Sequence, residues 1–412
     1  MKKNRRVGFC LLIKTSAVLI AFSLTALNFG RFLTNLRKMP DAFYAESEAE
    51  LIEKISGGYS IYPGSISAES TGDERLGNRE AVCKLFGRIV LKSVPAVVSQ
   101  RPILTPGGQP VGISIYTEGV LVVGTGSFIS DSGQKADPAK DAGIIPGDVI
   151  LSVNGSEIAT SKDLQNELSR STGSCVLKID RNGKRLEISV VPYISEDGSP
   201  RIGAWVRDST VGIGTLSFYD PDTRTAAALG HAVVDSDTGS LLKVKDGKLV
   251  LAEIIGVSIG RQGVPGELRG TFGDFSPVIG QINTNTELGI FGSLSEEAFG
   301  FLEGNSIETA FPDEVHIGDA ILISCADGQT KEYSCRIIKT GRQNEPQPKG
   351  LVIEITDETL LALTGGIVQG MSGSPVIQDG RLVGVITHVF VNEPRRGYGA
   401  YAFWMYKRSG GQ

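Results

Sequence analysis

The sequence predicts a mainly β protein, and three observations carry that reading. Glycine supplies 52 of the 412 residues, nearly twice the usual share and without a collagen-like period, which argues for many tight turns between short strands. Asn154-Gly155 and Asn182-Gly183 each sit between apolar runs, the turn chemistry of two-residue hairpins. From Arg201 onward, short apolar runs alternate with glycine turns and no long helical period intervenes. That spacing belongs to a β-barrel or paired barrels. A predominantly helical bundle is excluded.

Size and charge set the next bounds. At roughly 100–200 residues per domain the chain holds two or three domains, each able to bury its own core. Hydrophobic residues at 41% and charged residues at 21% describe a folded protein, too apolar for disorder. The net charge is −5, and no large basic block lies beyond the N-terminus, so no nucleic-acid partner is expected.

The N-terminus reads as a localisation signal. Lys2-Lys3-Asn4-Arg5-Arg6 precedes an apolar stretch from Val7 to Phe29 that carries a single charge, Lys14. The basic flank keeps this end cytoplasmic, and the stretch approaches the ~20 residues that a spanning helix needs. Lys14 can snorkel to the headgroups. A cleaved signal peptide is the alternative, but no small-x-small site follows, and Arg31, Arg37 and Lys38 come next. Residues 1–30 are therefore expected to be a cytoplasmic basic tip and an uncleaved transmembrane anchor, with the remainder exported.

Residues 31–102 read as a juxtamembrane stalk with a small β element. Ala45–Lys54 has the composition of a short acidic helix, and Cys83–Val98 contains two strand-like runs. Over 103–194 the pattern sharpens: Val111–Tyr116 alternates as a strand, and Gly119-Val120-Leu121-Val122 begins another. Ser161 is placed to cap an amphipathic helix through Leu168. The run Ala142-Gly143-Ile144-Ile145-Pro146-Gly147-Asp148-Val149-Ile150-Leu151-Ser152-Val153-Asn154-Gly155 makes this stretch resemble a PDZ domain. The resemblance implies capture of an extended peptide along an exposed sheet edge, expected at Gly119, Val120, Leu121 and Val122. Ser195–Pro200 is a polar turn cluster and marks the boundary before a domain over 200–410.

Chemistry has few carriers. The five cysteines include no CxxC pair; Cys325 and Cys335 flank a turn, as a hairpin disulfide or as two thiols on adjacent strands. The histidines are His231, His316 and His388, and neither an HExxH motif nor a Walker loop occurs, so no metal and no cofactor are expected. Asp235–Gly239 has its glycine one place too early for a calcium loop, and no glutamate closes it.

What remains is Gly370-Met371-Ser372-Gly373-Ser374-Pro375, which resembles the nucleophile loop of trypsin-like serine peptidases. A sharp glycine turn there presents a hydroxyl and aims two backbone N–H groups at one point, an oxyanion hole; in the trypsin-like pattern the donors fall on Gly370 and Ser372. The hydroxyl needs a base. His231 precedes the serine by 141 residues and follows a glycine, whereas His388 reads as an alternating strand residue.

The longer blocks Arg201–Gly214, Leu216–Pro221, Gly230–Gly239, Thr364–Pro375 and Gly384–Met405 resemble the SpoIVB peptidase family. That resemblance implies a trypsin-like double β-barrel with Ser372 as nucleophile, His231 as base and Asp357 as third member. Asp235 is a local alternative, since Asp357 stands only 15 residues before the serine. It also implies a sporulation role in the space between forespore and mother-cell membranes. The enzyme would cleave itself and a membrane-bound regulator, so that an intramembrane metalloprotease activates a late sigma factor. The alternatives are a non-catalytic PDZ scaffold and a general extracytoplasmic quality-control protease.

Overall fold

The computed structural model describes residues 22–59, 64–70, 79–273, 275–341, 343 and 346–410. Residues 22–38 are helical. Among the described residues no helix is long and apolar enough to cross a membrane; most of the Val7–Phe29 stretch, with Cys10, lies outside them.

The segment expected as a stalk is a folded layer. The strands Phe43–Ala45, Ile89–Val98, Arg79–Leu85 and Gly64–Ser70 form one sheet in that order, with the helix Glu48–Tyr59 against it. Ser47 starts that helix by accepting from Glu50 N at 3.2 Å, while Glu50 reaches back to Glu46 N at 2.9 Å, a capping arrangement. Leu51 and Ile55, one helical turn apart, enter a core with Phe32, Met39, Phe43 and Val94. Phe32 and Met39 supply what a short sheet could not bury alone.

Two closed six-stranded barrels follow. In the first, Pro110–Thr125, Ala204–Tyr219, Thr225–Ala228, Gly289–Leu294, Val278–Thr286 and Val244–Leu251 pair in a ring, antiparallel throughout. Val111, Ile113, Ile115, Leu216, Leu249 and Ile290 fill it. In the second, the ring runs Gly318–Ser324, Lys331–Thr340, Leu351–Ile355, Arg396–Tyr401, Arg381–Val389 and Pro375–Gln378. Phe218, Ala227, Phe291, Leu382, Val385 and Ala400 form a shared core between the two.

The PDZ-like unit is an insertion in the first barrel. Pro110–Thr125 and Ala204–Tyr219 are 16 residues each and pair from Pro110↔Thr215 to Thr125↔Ala204. Their near halves close the barrel. Their far halves, beyond an irregularity between Arg207 and Ser209, carry the inserted sheet through Val120↔Ile150. Val149–Val153, Cys175–Arg181 and Lys184–Val190 complete that sheet. The helix Ser161–Arg170 covers it, capped by Thr160 with Asp163; the cap thus falls one residue before the expected Ser161.

Residue 103 is therefore not the start of the PDZ unit, and 200 is not the start of the barrels. Ile103–Pro106 pairs with Phe218 and Tyr219, and Val111–Tyr116 lies in the barrel. Alternation reveals a strand without revealing its partner. Cys335 pairs with Ala320 while Cys325 lies past the end of its strand, and Cys83, Cys175, Cys325 and Cys335 are all free thiols.

Candidate active site

A cleft of about 520 Å³ opens between the barrels, walled by Ile213, His231, Val368, Gly370, Ser372 and His388 among others. Ser372 and His231, distant in sequence, share it.

Glycine makes the nucleophile turn possible. Gly370 has φ +91° and Gly373 φ +99°, a left-handed region that side chains disfavour. A Cβ on Gly373 would also stand 2.3 Å from the Thr215 carbonyl oxygen. Met371, fully buried, pins the turn, donating from its N–H to Val368 O at 3.1 Å. Gly373 N donates to Ile386 O and Ser374 N to Met371 O. The N–H groups of Gly370 and Ser372 have no backbone acceptor among the described residues. Two free donors flanking a satisfied one is the arrangement that receives an oxyanion. Ser372 Oγ donates to Thr387 O at 2.8 Å, its resting partner.

His231 follows a strained turn. Leu229 has φ +73° and Gly230 φ +70°; for a leucine that geometry costs roughly 1–2 kcal/mol. A Cβ on Gly230 would meet Val385 Cγ2 at 2.6 Å, so only glycine lets this loop press against the second barrel. His231 Nδ1 lies 2.9 Å from Ala232 O. A carbonyl can only accept, which assigns the hydrogen to Nδ1 and leaves Nε2 as the lone pair of a base. Burial lowers the His231 pKa, opposed by the bond to Ala232.

Asp357 does not reach the imidazole. Its carboxylate caps the helix Glu358–Thr364, accepting from Leu360 N at 2.9 Å, and its second oxygen meets Ser334 N at 3.4 Å. The 15-residue spacing explains why: those residues are spent on one helix and the loop that returns to the cleft wall at Ile367–Gly370. Asp235 is buried and also committed, to Asp237 N, Thr238 N, Thr238 Oγ1 and the Arg207 guanidinium. It fixes the loop after His231 rather than the ring. The position expected of a carboxylate is taken by a backbone carbonyl, which has no side-chain signature to read.

His388, expected as a plain strand residue, lies in the strand Arg381–Val389 and also walls the cleft. Its ring centroid is 4.9 Å from that of His231. Partial desolvation first, then the neighbouring His231 and Lys349, push its pKa down to about 4. Sequence spacing offered no way to join it to His231.

The peptide edge expected at Gly119, Val120, Leu121 and Val122 is not an edge. Val120 and Leu121 pair with Ile150 and Val149 on one side, while Leu121 and Val122 pair with Arg207 and Val206 on the other. Among the described residues, the open edge is Ala204–Arg207. One side of it pairs with Leu121–Thr125, and its further strand partners begin only at Leu216. Beside it lies the helix Ser161–Arg170, held by Gln165 to Pro200 O at 3.1 Å and by Ser161 N to Asp208 at 2.7 Å.

A model of the SpoIVB peptidase S55 family matches residues 198–406, half of the chain. The chain belongs to the SpoIVB peptidase family. A PDZ-domain model matches residues 119–191, the inserted unit. The family match thus begins after that insert, although the barrel it describes recruits Pro110–Thr117 from before it. The chain is similar to a "Putative zinc metalloprotease" of Helicobacter pylori strain J99, 27% identical over 168 residues, 40% of this chain and 45% of that protein. It is also similar to a "Probable periplasmic serine endoprotease DegP-like" of Chlamydia trachomatis, 32% identical over 35% of this chain and 30% of that protein. The chain thus spans less than half the length of each of these two relatives. Among solved structures, the Rv3671c protease of M. tuberculosis in its active form matches at 14% identity and TM-score 0.30, over 49% of this chain and 74% of that one.

Proposed function

We propose that this SpoIVB-family peptidase is a membrane-anchored, exported endopeptidase of sporulation signalling. It cuts itself and a membrane-bound regulator, so that an intramembrane metalloprotease can activate a late sigma factor. The family match over 198–406 supports the pathway, and the basic flank with its apolar stretch supports the anchor. One observation carries the chemistry: Ser372, His231 and two N–H groups with no backbone acceptor among the described residues meet in a single cleft.

Ser372 Oγ leaves Thr387 O, turns to His231 Nε2 and attacks the scissile carbonyl while the imidazole takes its proton. The Gly370 and Ser372 amides hold the oxyanion, each worth about 3 kcal/mol of barrier. His231 then protonates the leaving amine, and Ala232 O steadies the imidazolium through Nδ1–H. Water hydrolyses the acyl-enzyme by the reverse path. The open edge Ala204–Arg207 adds a strand from a substrate tail, giving the PDZ unit its recruiting role.

The test compares the full-length chain with Ser372→Ala in sporulating cells and in detergent. The wild type should label with a fluorophosphonate at Ser372, trim itself and cut few membrane proteins, while the variant stays intact. Activity that survives in the purified variant refutes the nucleophile. Broad digestion of unfolded casein refutes a dedicated signalling role in favour of quality control.

A further inference from the structure

Thr215 belongs to the first barrel, yet it touches both ends of the nucleophile turn in the second. It is buried on the strand Ala204–Tyr219. Its Oγ1 donates to Gly370 O at 2.7 Å, and its backbone N–H donates to Ser372 O at 3.1 Å. Its own carbonyl accepts from Leu229 N at 3.3 Å, at the head of the His231 loop.

The turn needs such an anchor. Gly370 supplies the left-handed backbone that aims the donors, but glycine holds no conformation by itself. The carbonyls account for what does hold it. Gln369 O accepts from Leu268 N at 2.8 Å, Met371 O from Ser374 N at 3.0 Å, and the remaining two accept from Thr215. With all four carbonyls fixed, the two N–H groups left over, of Gly370 and Ser372, have fixed directions. Only one of these four restraints comes from a side chain, the Thr215 hydroxyl.

We propose that Thr215 is the positioning residue of the oxyanion turn. Its hydroxyl locks the Gly370–Met371 peptide plane, which joins the two donor-bearing planes, and its amide locks the Ser372–Gly373 plane that follows them, so the backbone torsions on either side of each donor are set before substrate arrives. Pre-set donors are what make such a site effective, because none of their alignment is left to the transition state. The inference rests on the peptidase reading above.

Thr215→Val keeps the shape and removes the hydroxyl; Thr215→Ser keeps the hydroxyl. On a peptide spanning the self-cleavage site, valine should lower kcat about 10- to 100-fold with KM within about twofold. That is less than the 10²–10³ lost when an oxyanion donor is removed outright. Serine should restore kcat to within about threefold of the wild type. A wild-type kcat in the valine variant, a loss confined to KM, or a serine variant as slow as valine overturns the proposal. Should valine not fold, Thr215→Ala takes its place with the same expectation. Amide hydrogen exchange gives a readout without turnover: faster exchange confined to 368–374 supports the lock, and unchanged exchange overturns it. A wild type that neither labels nor cuts would refute the peptidase reading, and exchange would still decide the role of Thr215.

Discussion

Replacing Asp357 by asparagine separates a helix cap from a member of the catalytic relay. In the structure the carboxylate accepts from Leu360 N at 2.9 Å and, weakly, from Ser334 N at 3.4 Å. Asparagine offers an equivalent acceptor at an N-cap, so Asp357→Asn should cost a few tenths of a kcal/mol plus a helix-dipole term of about 0.3–1. Alanine offers none and should cost about 1 kcal/mol, roughly 2–4 °C in Tm for a unit of this size. The catalytic expectation differs far more. An aspartate that orients the imidazole loses about 10⁴ in kcat when amidated, about 5 kcal/mol of barrier. The cap reading predicts a kcat within about tenfold of wild type for asparagine. Alanine should lose somewhat more, because the capped helix feeds the cleft wall at Ile367–Gly370. Steady-state kinetics beside a thermal melt decide it. A loss of 10³ or more in the asparagine variant at unchanged Tm refutes the reasoning and returns Asp357 to the relay.

Burial holds the His231 pKa below 6.5, so the base stays neutral further into acid. The acid limb of kcat/KM should fall below pH 6.5, and a limb at or above 6.5 counts against His231. His388 is held at about 4, so between about pH 6.5 and 4 the unfolded chain binds more protons than the folded one. Stability contributed by the neutral ring should therefore drain away as pH falls through that window, measurable by urea melts. Gly230→Ala places a Cβ 2.6 Å from Val385 Cγ2 at φ +70°. It should cost about 2–4 kcal/mol with loss of activity, and a melt within 1 kcal/mol of wild type would contradict the contact. A peptide with a free apolar C-terminus should shift the amide resonances of Ala204–Arg207; shifts centred on Gly119–Val122 would reinstate the edge that the structure finds paired on both sides.

What the sequence made legible was local. Gly370–Pro375 could be read because a turn with two left-handed glycines leaves its composition in six consecutive residues. The inserted helix left a cap signal and the hairpin at Asn182-Gly183 its turn signal, both within a few residues. Pairing was not legible, because a strand's alternation says which face is buried and nothing about its neighbour. Val111–Tyr116 reads alike in a PDZ sheet and in a barrel, so the sequence alone places the boundary at 103 although these residues pair within the barrel. Leu121, paired with Val149 on one side and with Arg207 on the other, reads as an edge residue on the same ground.

The third catalytic partner is the sharper case. The family resemblance implies Asp357 and the local sequence offers Asp235, since only side chains are written in the sequence. Both are satisfied elsewhere, one by a helix N-terminus and the other by Arg207 and the loop amides. The ring is oriented by Ala232 O, supplied by the residue next to it through the backbone turn that Leu229 and Gly230 impose. A neutral carbonyl fixes the tautomer as a carboxylate would but brings no charge to the imidazolium. A site built this way leans more heavily on the remaining terms of the barrier. The directions of the Gly370 and Ser372 amides then matter most; Leu268 N and Ser374 N hold their own peptide planes through Gln369 O and Met371 O, and Thr215 holds the adjoining planes from the opposite barrel.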